Sequence, residues 1–217
     1  MKSKILFPDY TNSILNVTST ILKHYGADSI YPQIPVLEES LKVDSKHVLL
    51  VLLDGMGINI INKYLKPDDF LRKHVKKIIT SVFPPTTVAA TNAVLSGLPP
   101  YSSGYLGWIQ YFKKEKTNHI VFLDQDFYDD KRVFDGCLRD KYLKYKTIYE
   151  QIETARSDVK TYELFPSFRI NGFPSFAKQV DYAIEITKND EKNIIACNIA
   201  KNKFNIKKTL YRLQDKS

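Results

Sequence analysis

The sequence has few of the residues that hold small disulfide-rich domains or metal clusters together. Only two of its 217 residues are cysteines, Cys137 and Cys197, and they stand far apart with no CxxC pair. A disulfide scaffold and a cysteine-based zinc site are therefore not expected. Histidine is also scarce, with four residues in the chain, so few histidines could serve as ligands of a metal ion.

Long apolar runs are missing as well. The longest unbroken run is Val48–Leu53, far shorter than the roughly 20 residues that a membrane-spanning helix needs. The first residues, MKSKILFPDYTNS, have no long apolar stretch before the proline and the aspartate, so they do not resemble a secretory signal. We expect a cytoplasmic protein with no membrane partner.

Positive charge, in contrast, is abundant. The chain has 32 Lys and Arg residues against 24 Asp and Glu residues, a formal net charge of +8. Such an excess fits an acidic partner such as nucleic acid. The lysines are scattered, however, and no nucleic-acid-binding motif surrounds the densest run, Lys113–Lys116. We therefore expect a small substrate that carries phosphate rather than a nucleic acid.

Short apolar runs alternate with amphipathic stretches along the chain. The runs HVLLVLL, KIITSVF and NIIAC have the composition of strands buried on both faces of a parallel sheet; they are residues 47–53, 77–83 and 193–197. Residues 119–123 and 159–164 are further strand candidates. Helical spacing occurs at residues 11–25, 36–42, 58–65, 88–98, 147–153 and 176–188.

This alternation predicts an α/β fold, with a mostly parallel sheet sandwiched by helices. We assign residues 1–198 to one such domain and residues 199–217 to a basic tail.

Two residues with chemical potential follow the first two predicted strands. Asp54 comes directly after the apolar run in VLLVLLDGMG, where a carboxylate can bind a metal ion. Thr86 and Thr87 follow SVFPP and open the next predicted helix, where backbone N–H groups favour anions. Each feature alone also fits an ordinary helix cap. Together, the carboxylate and a hydroxyl can converge on one ion, and a metal-bound hydroxyl is a nucleophile.

The two motifs LLDGMG and SVFPPTTVAATNAVLSGLPPYSSGYLGW, taken together, resemble the alkaline phosphatase superfamily. More narrowly, they are similar to its type I phosphodiesterase/nucleotide pyrophosphatase family. The resemblance is tightest over Val48–Trp108 and extends in spacing to about residue 198. It implies an alkaline-phosphatase-like fold and a metal-dependent hydrolase of phosphodiester or pyrophosphate bonds.

The resemblance also implies a site built around zinc. Asp54 falls on a ligand of one Zn²⁺, and Thr87 falls on the nucleophile, which binds the same ion. Two Zn²⁺ ions are implied, with Mn²⁺ as a substitute. Thr86 and Asn92 are the candidate substrate-binding residues.

The chain departs from the family pattern in three ways. Ala90 stands where some members have an asparagine three residues after the nucleophile, and Ser103-Gly104 replaces a His-Gly pair. The later Asp and His ligands of the family are not found, because all four histidines come earlier: His24, His47, His74 and His119. We therefore expect an apparently truncated fold. We also expect a site that is incomplete or inactive in this chain alone, with self-association or a complementary chain to complete it.

Two alternatives remain open. One is a non-catalytic remnant that binds anions or nucleotides through the same helix start. The other is a haloacid-dehalogenase-like phosphatase, which also places an aspartate after a strand. Such an enzyme needs a second aspartate two residues later, and this chain has Met56 there.

Overall fold

The computed structural model describes residues 6–43 and 45–163. Contacts between residues divide the chain into two compact units. We call the described residues of Met1–Trp108 and Tyr145–Val159 the helical unit, and the described residues of Ile109–Lys144 and Lys160–Ser217 the hairpin unit. The predicted domain of residues 1–198 and the tail of residues 199–217 stay predictions, because the boundary between them lies outside the described residues.

The helical unit contains seven helices among its described residues. These are α1 (Ile14–His24), α2 (Pro35–Leu41), α3 (Ile58–Tyr64), α4 (Phe70–Lys73), α5 (Thr87–Ser96), α6 (Pro100–Ser103) and, after the hairpin unit, α8 (Ile148–Ala155). The two longest, α1 and α5, pack against each other, and α8 packs against both.

Local sequence explains where these helices begin. Ser13 caps α1 and exchanges hydrogen bonds with Asn16, while Thr147 caps α8 and does the same with Glu150. Both pairs are capping boxes, in which two backbone N–H groups left over at a helix start are satisfied by side chains. The predicted helices at 11–25 and 147–153 are thus confirmed, each shifted by two or three residues at one end.

The core of the helical unit consists of two apolar clusters. One joins α1 and α8 through Ile21, Leu22, Ala27, Ile148 and Ile152. The other joins the start of α1 to α5 through Leu15, Val82 and Ala93. Full burial of a Val, Leu or Ile side chain in these clusters stabilises the fold by roughly 1.5–3 kcal/mol.

The hairpin unit contains a three-stranded antiparallel sheet in the order β1-β2-β3. Its strands are β1 (Ile109–Phe112), β2 (Thr117–Ile120) and β3 (Gln125–Asp126), followed by helix α7 (Leu138–Tyr142). Ile109 lies opposite Ile120 and Phe112 lies opposite Thr117. The predicted strand at 119–123 therefore exists in part, but it begins two residues earlier and ends at Ile120.

The protein is a mixed α and β chain, but the described residues do not form the predicted parallel sheet. Residues 47–53 are neither helix nor strand, and residues 77–83 contribute only a single parallel bridge, between Ser13 and Thr80. A buried strand needs hydrogen-bonding neighbours on its edges and cover on its faces, and no described residue supplies them to 47–53. The predicted strand at 159–164 is not formed by its described residues, since 159–163 are neither helix nor strand, and residue 164 lies outside the described residues. The predicted helix at 176–188 and strand at 193–197 also lie outside them.

Candidate functional site

The two adjacent threonines occupy different positions at the start of α5. Thr86 is the N-cap, with an extended backbone, and its hydroxyl accepts a hydrogen bond from the backbone N–H of Ala89 at 3.3 Å. Thr87 is the first residue inside the helix. The hydroxyl of Thr86 is thus used in capping, whereas the hydroxyl of Thr87 lies next to the carboxylate of Asp54.

Asp54 lies in an exposed turn of the helical unit. The carboxylate follows the apolar run at 48–53, in a turn formed with Gly55, whose φ of 69° lies in the left-handed region. A residue with a side chain is strained at such an angle, so the glycine allows the chain to turn directly after Asp54. Asp54 and Gly55 are both exposed, which leaves the carboxylate open to solvent.

Asp54 and Thr87 meet across 33 positions of sequence. The Thr87 hydroxyl oxygen lies 3.4 Å from Oδ1 and 3.4 Å from Oδ2 of Asp54. These distances are long for a hydroxyl–carboxylate hydrogen bond, which is usually 2.5–3.0 Å. The hydroxyl therefore lies beside the carboxylate at equal distance from both oxygens, without a short bond to either.

This spacing fits two ligands of a tetrahedral zinc ion. Ligand oxygens about 2.0–2.2 Å from such an ion lie about 3.3–3.6 Å from each other. The donor chemistry also fits, because Zn²⁺ and Mn²⁺ accept carboxylate oxygen. The donor number does not yet fit, since a catalytic zinc usually has three protein ligands. Within residues 6–43 and 45–163, no group of three or more His, Cys, Asp or Glu side chains could hold a metal ion.

Asn92, the other candidate substrate-binding residue, lies inside the helical unit. It is fully buried. Its amide nitrogen donates to the carbonyl of Val88 at 2.8 Å, and its Oδ1 accepts from the Tyr145 hydroxyl at 2.6 Å. Both ends of the amide are used in packing α5 against the chain that precedes α8. Asn92 thus has a structural role inside the helical unit, and its part in substrate binding stays a prediction.

The hairpin unit holds a charged cluster that the sequence did not reveal. Asp126 is almost fully buried; its Oδ2 accepts from Thr117 at 2.7 Å and from Arg132 at 2.9 Å. Its Oδ1 accepts from the backbone N–H groups of Tyr128 and Asp129. The Thr117 hydroxyl first, and then these N–H groups and the arginine, lower the pKa of Asp126 to about 2.

His119 is the buried histidine of the same unit. Its Nε2 donates to Oδ1 of Asp124 at 2.9 Å, and its ring packs edge-on against Phe112 and Phe134. The sequence offered no signal for either cluster beyond the alternation of polar and apolar residues in β2. The first cluster satisfies the buried carboxylate of Asp126, whereas Nδ1 of His119 is buried with no hydrogen-bond partner among the described residues.

None of the helices in the described parts of the chain is long and apolar enough to cross a membrane.

Comparison with known proteins gives no relatives: no family model, no curated protein and no solved structure matches this chain. The contact between Asp54 and Thr87 therefore stands as the main structural basis for a function.

Proposed function

We propose that this protein is a metal-dependent hydrolase of phosphodiester or pyrophosphate bonds, with Thr87 as its nucleophile. One observation carries the proposal. The Thr87 hydroxyl oxygen lies 3.4 Å from both carboxylate oxygens of Asp54, although the two residues belong to separate elements. The candidate metal ligand, Asp54, and the candidate nucleophile, Thr87, thus lie next to each other at an exposed position.

The start of α5 adds a second contribution. The first N–H groups of a helix have no partner within it and carry part of the positive end of the helix dipole. The N–H of Ala89 is occupied by Thr86, while the N–H groups of Thr87 and Val88 precede it in the first turn. Thr87 is partly exposed and Val88 is buried, so the N–H of Thr87 is the one suited to bind an oxygen of a phosphate that approaches the Thr87 hydroxyl.

The reaction follows from this arrangement. The Thr87 hydroxyl gives its proton to solvent water and its oxygen forms a bond to phosphorus, while the bond from phosphorus to the alcohol or phosphate on the opposite side breaks. Water then cleaves the phosphothreonine and restores the hydroxyl. Zn²⁺ or Mn²⁺ held by Asp54 and Thr87 would favour the ionised hydroxyl and neutralise charge on the phosphate. The resemblance of the LLDGMG and FPPTT motifs to the phosphodiesterase family supports the same roles.

A second candidate function is binding without catalysis. It is favoured by the ligand count, because no group of three or more His, Cys, Asp or Glu side chains among the described residues could hold an ion. The start of α5 would still bind a nucleotide or phosphate through its backbone. The two functions differ in their requirement for the Thr87 hydroxyl oxygen, which catalysis needs and binding at the backbone does not.

The test is hydrolysis of a chromogenic phosphodiester by the purified protein with added Zn²⁺ or Mn²⁺. We expect slow, metal-dependent turnover that falls by about 10²-fold or more in Thr87→Ala, because the nucleophile is lost. Thr87→Ser should keep measurable activity, since it retains the hydroxyl.

Thr86→Ala is the matched control for this test. It removes the neighbouring hydroxyl, so it should cost about 1 kcal/mol of stability through the lost cap. Because Thr86 is a candidate substrate-binding residue and not the nucleophile, this variant should raise KM while kcat is kept. Equal turnover by the Thr87→Ala and unmodified proteins would contradict catalysis by Thr87. Nucleotide binding without turnover in all variants would support the second function.

A further inference from the structure

The segment Val48–Leu53, which we call the apolar segment, is uncovered on both sides. Its six aliphatic side chains are exposed by 36% to 73%, at odd and at even positions alike. No hydrogen bond joins its backbone to any other residue that the structure describes. An unpaired apolar segment of this kind is a template for strand pairing with another chain.

We propose that the apolar segment pairs antiparallel with the same segment of a second copy, and that this pairing brings the partner's Lys46 to the site of Asp54 and Thr87. The second part rests on the function proposed above for that site. The first part, the pairing itself, depends only on the exposed segment and the charges at its two ends.

Charge selects the direction of pairing. The apolar segment is preceded by Lys46 and His47 and followed by Asp54. Parallel pairing in register would place Asp54 beside its own copy and Lys46 beside its own copy, which is unfavourable because like charges would be opposite each other. Antiparallel pairing instead places the basic end of each segment against the acidic end of the other.

Symmetry and charge together select the register. Two identical antiparallel strands are related by a twofold axis, and residues directly opposite each other lie on the same face. Only residues of the same parity can then be opposite. With Leu50 opposite its own copy, Val48 faces Leu52, and Lys46 faces Asp54. Moving the axis to Val51 would place Asp54 opposite the aliphatic Val48, which would remove water from the carboxylate without pairing it.

This register makes Lys46 part of the other protomer's site. Opposite side chains on one face have Cβ atoms about 4.5–5.5 Å apart, so the partner's Lys46 lies beside Asp54. Lys46 is exposed, and no ion pair joins it to another described residue. Its ammonium group is a donor of the kind that binds phosphate oxygens, and each dimer would contain two such sites.

Cysteine cross-linking tests the register. With Cys137→Ser and Cys197→Ser as background, Leu50→Cys should form a disulfide-linked dimer on mild oxidation, because Leu50 meets its own copy at a Cα separation of about 4.5–5.5 Å. Leu49→Cys alone should react at least about tenfold more slowly, since diagonal neighbours are about 7–8 Å apart. A mixture of Leu49→Cys and Val51→Cys should link rapidly again, because these two positions are opposite.

Charge exchange tests the ends of the pairing by light scattering, without substrate. Lys46→Asp and Asp54→Lys should each weaken the dimer about tenfold, because each places like charges opposite one another. The double variant should restore dimerisation to within about threefold of the unmodified protein by restoring opposite charges in the same pairs. Thr87→Ala should leave the dimer unchanged, so failure of the proposed reaction and failure of the pairing are separate results.

Three results would overturn the proposal. A protein that is monomeric at every concentration has no such interface. Equal linking at all cysteine positions indicates unspecific collapse rather than a strand register. Hydrogen exchange that shows protection of the apolar segment in a monomer means that other residues of the same chain cover it.

Discussion

At the scale of single residues, the two adjacent threonines show how one position changes the role of a side chain. Thr86 has the extended backbone of an N-cap, so its oxygen turns back to the N–H of Ala89. Thr87 is already helical, and its oxygen reaches Asp54. The capping function and the candidate nucleophile, which compete as interpretations of the sequence, are therefore divided between two residues.

Asp126 is a residue whose charge is expected to contribute to stability. Its pKa is lowered to about 2 from an ordinary 3.8, first by the hydrogen bond from Thr117. A carboxyl group with a lower pKa in the folded state stabilises the protein above its unfolded pKa, and this contribution is lost as the pH falls through the folded value. We therefore expect Asp126→Asn to be less stable than the unmodified protein at pH 6, with a difference that shrinks between pH 4 and pH 2.

Urea unfolding at a series of pH values would measure this difference. Asp130→Asn serves as the control, because it removes the same charge from an exposed carboxylate four residues away. A stability difference for Asp126→Asn that stays constant from pH 6 to pH 2 would show that the carboxylate charge is not what the four hydrogen bonds stabilise.

The sequence predicts which residues follow which elements, but it does not predict which distant residues contact each other. It placed Asp54 and Thr87 after neighbouring apolar runs, and their contact agrees with the expectation that the two converge. It could not place Asn92, because its role depends on the hydroxyl of Tyr145, 53 positions away. Likewise, the bonds of Asp126 come from a turn and a neighbouring strand whose geometry is not encoded in any local motif.

At the scale of elements, helices were predictable where their signals are local. Ser13 and Thr147 mark helix starts by capping, and Gly97 marks the end of α5. The predicted strands at 47–53 and 77–83 are different, because a strand exists only when distant residues pair with it. The apolar pattern there indicates a preference for burial, and it does not specify the residues that provide it.

Gly97 provides the prediction at this scale. Its φ of 71° lies in the left-handed region, and a Cβ there would lie 3.2 Å from Cδ1 of Leu22 and 3.5 Å from Cγ2 of Thr18. Gly97→Ala should therefore combine backbone strain of about 1–2 kcal/mol with a tight contact between α5 and α1. We expect a loss of roughly 2 kcal/mol in thermal or urea unfolding.

Gly26→Ala is the matched comparison for Gly97→Ala. Gly26 follows α1 with a φ of 78°, but a Cβ there has nothing within 4 Å. It should show the backbone strain alone, and therefore a smaller loss. If both variants lost the same stability, the contact of Gly97 with Leu22 would contribute nothing measurable.

At the scale of the whole molecule, the exposed apolar segment links stability to assembly. A dimer that forms only from folded chains is stabilised by mass action, so its unfolding temperature rises with protein concentration. We expect the melting temperature of the unmodified protein to rise by about 2 °C for each tenfold increase in concentration. In Leu50→Lys the melting temperature should not change with concentration, because two lysines would then lie opposite each other at the twofold axis.

Val133→Lys is the control. It replaces an aliphatic side chain that is 90% exposed in the hairpin unit, and its melting temperature should still rise with concentration. A melting temperature that is independent of concentration in all three proteins would mean that the apolar segment does not hold two copies together.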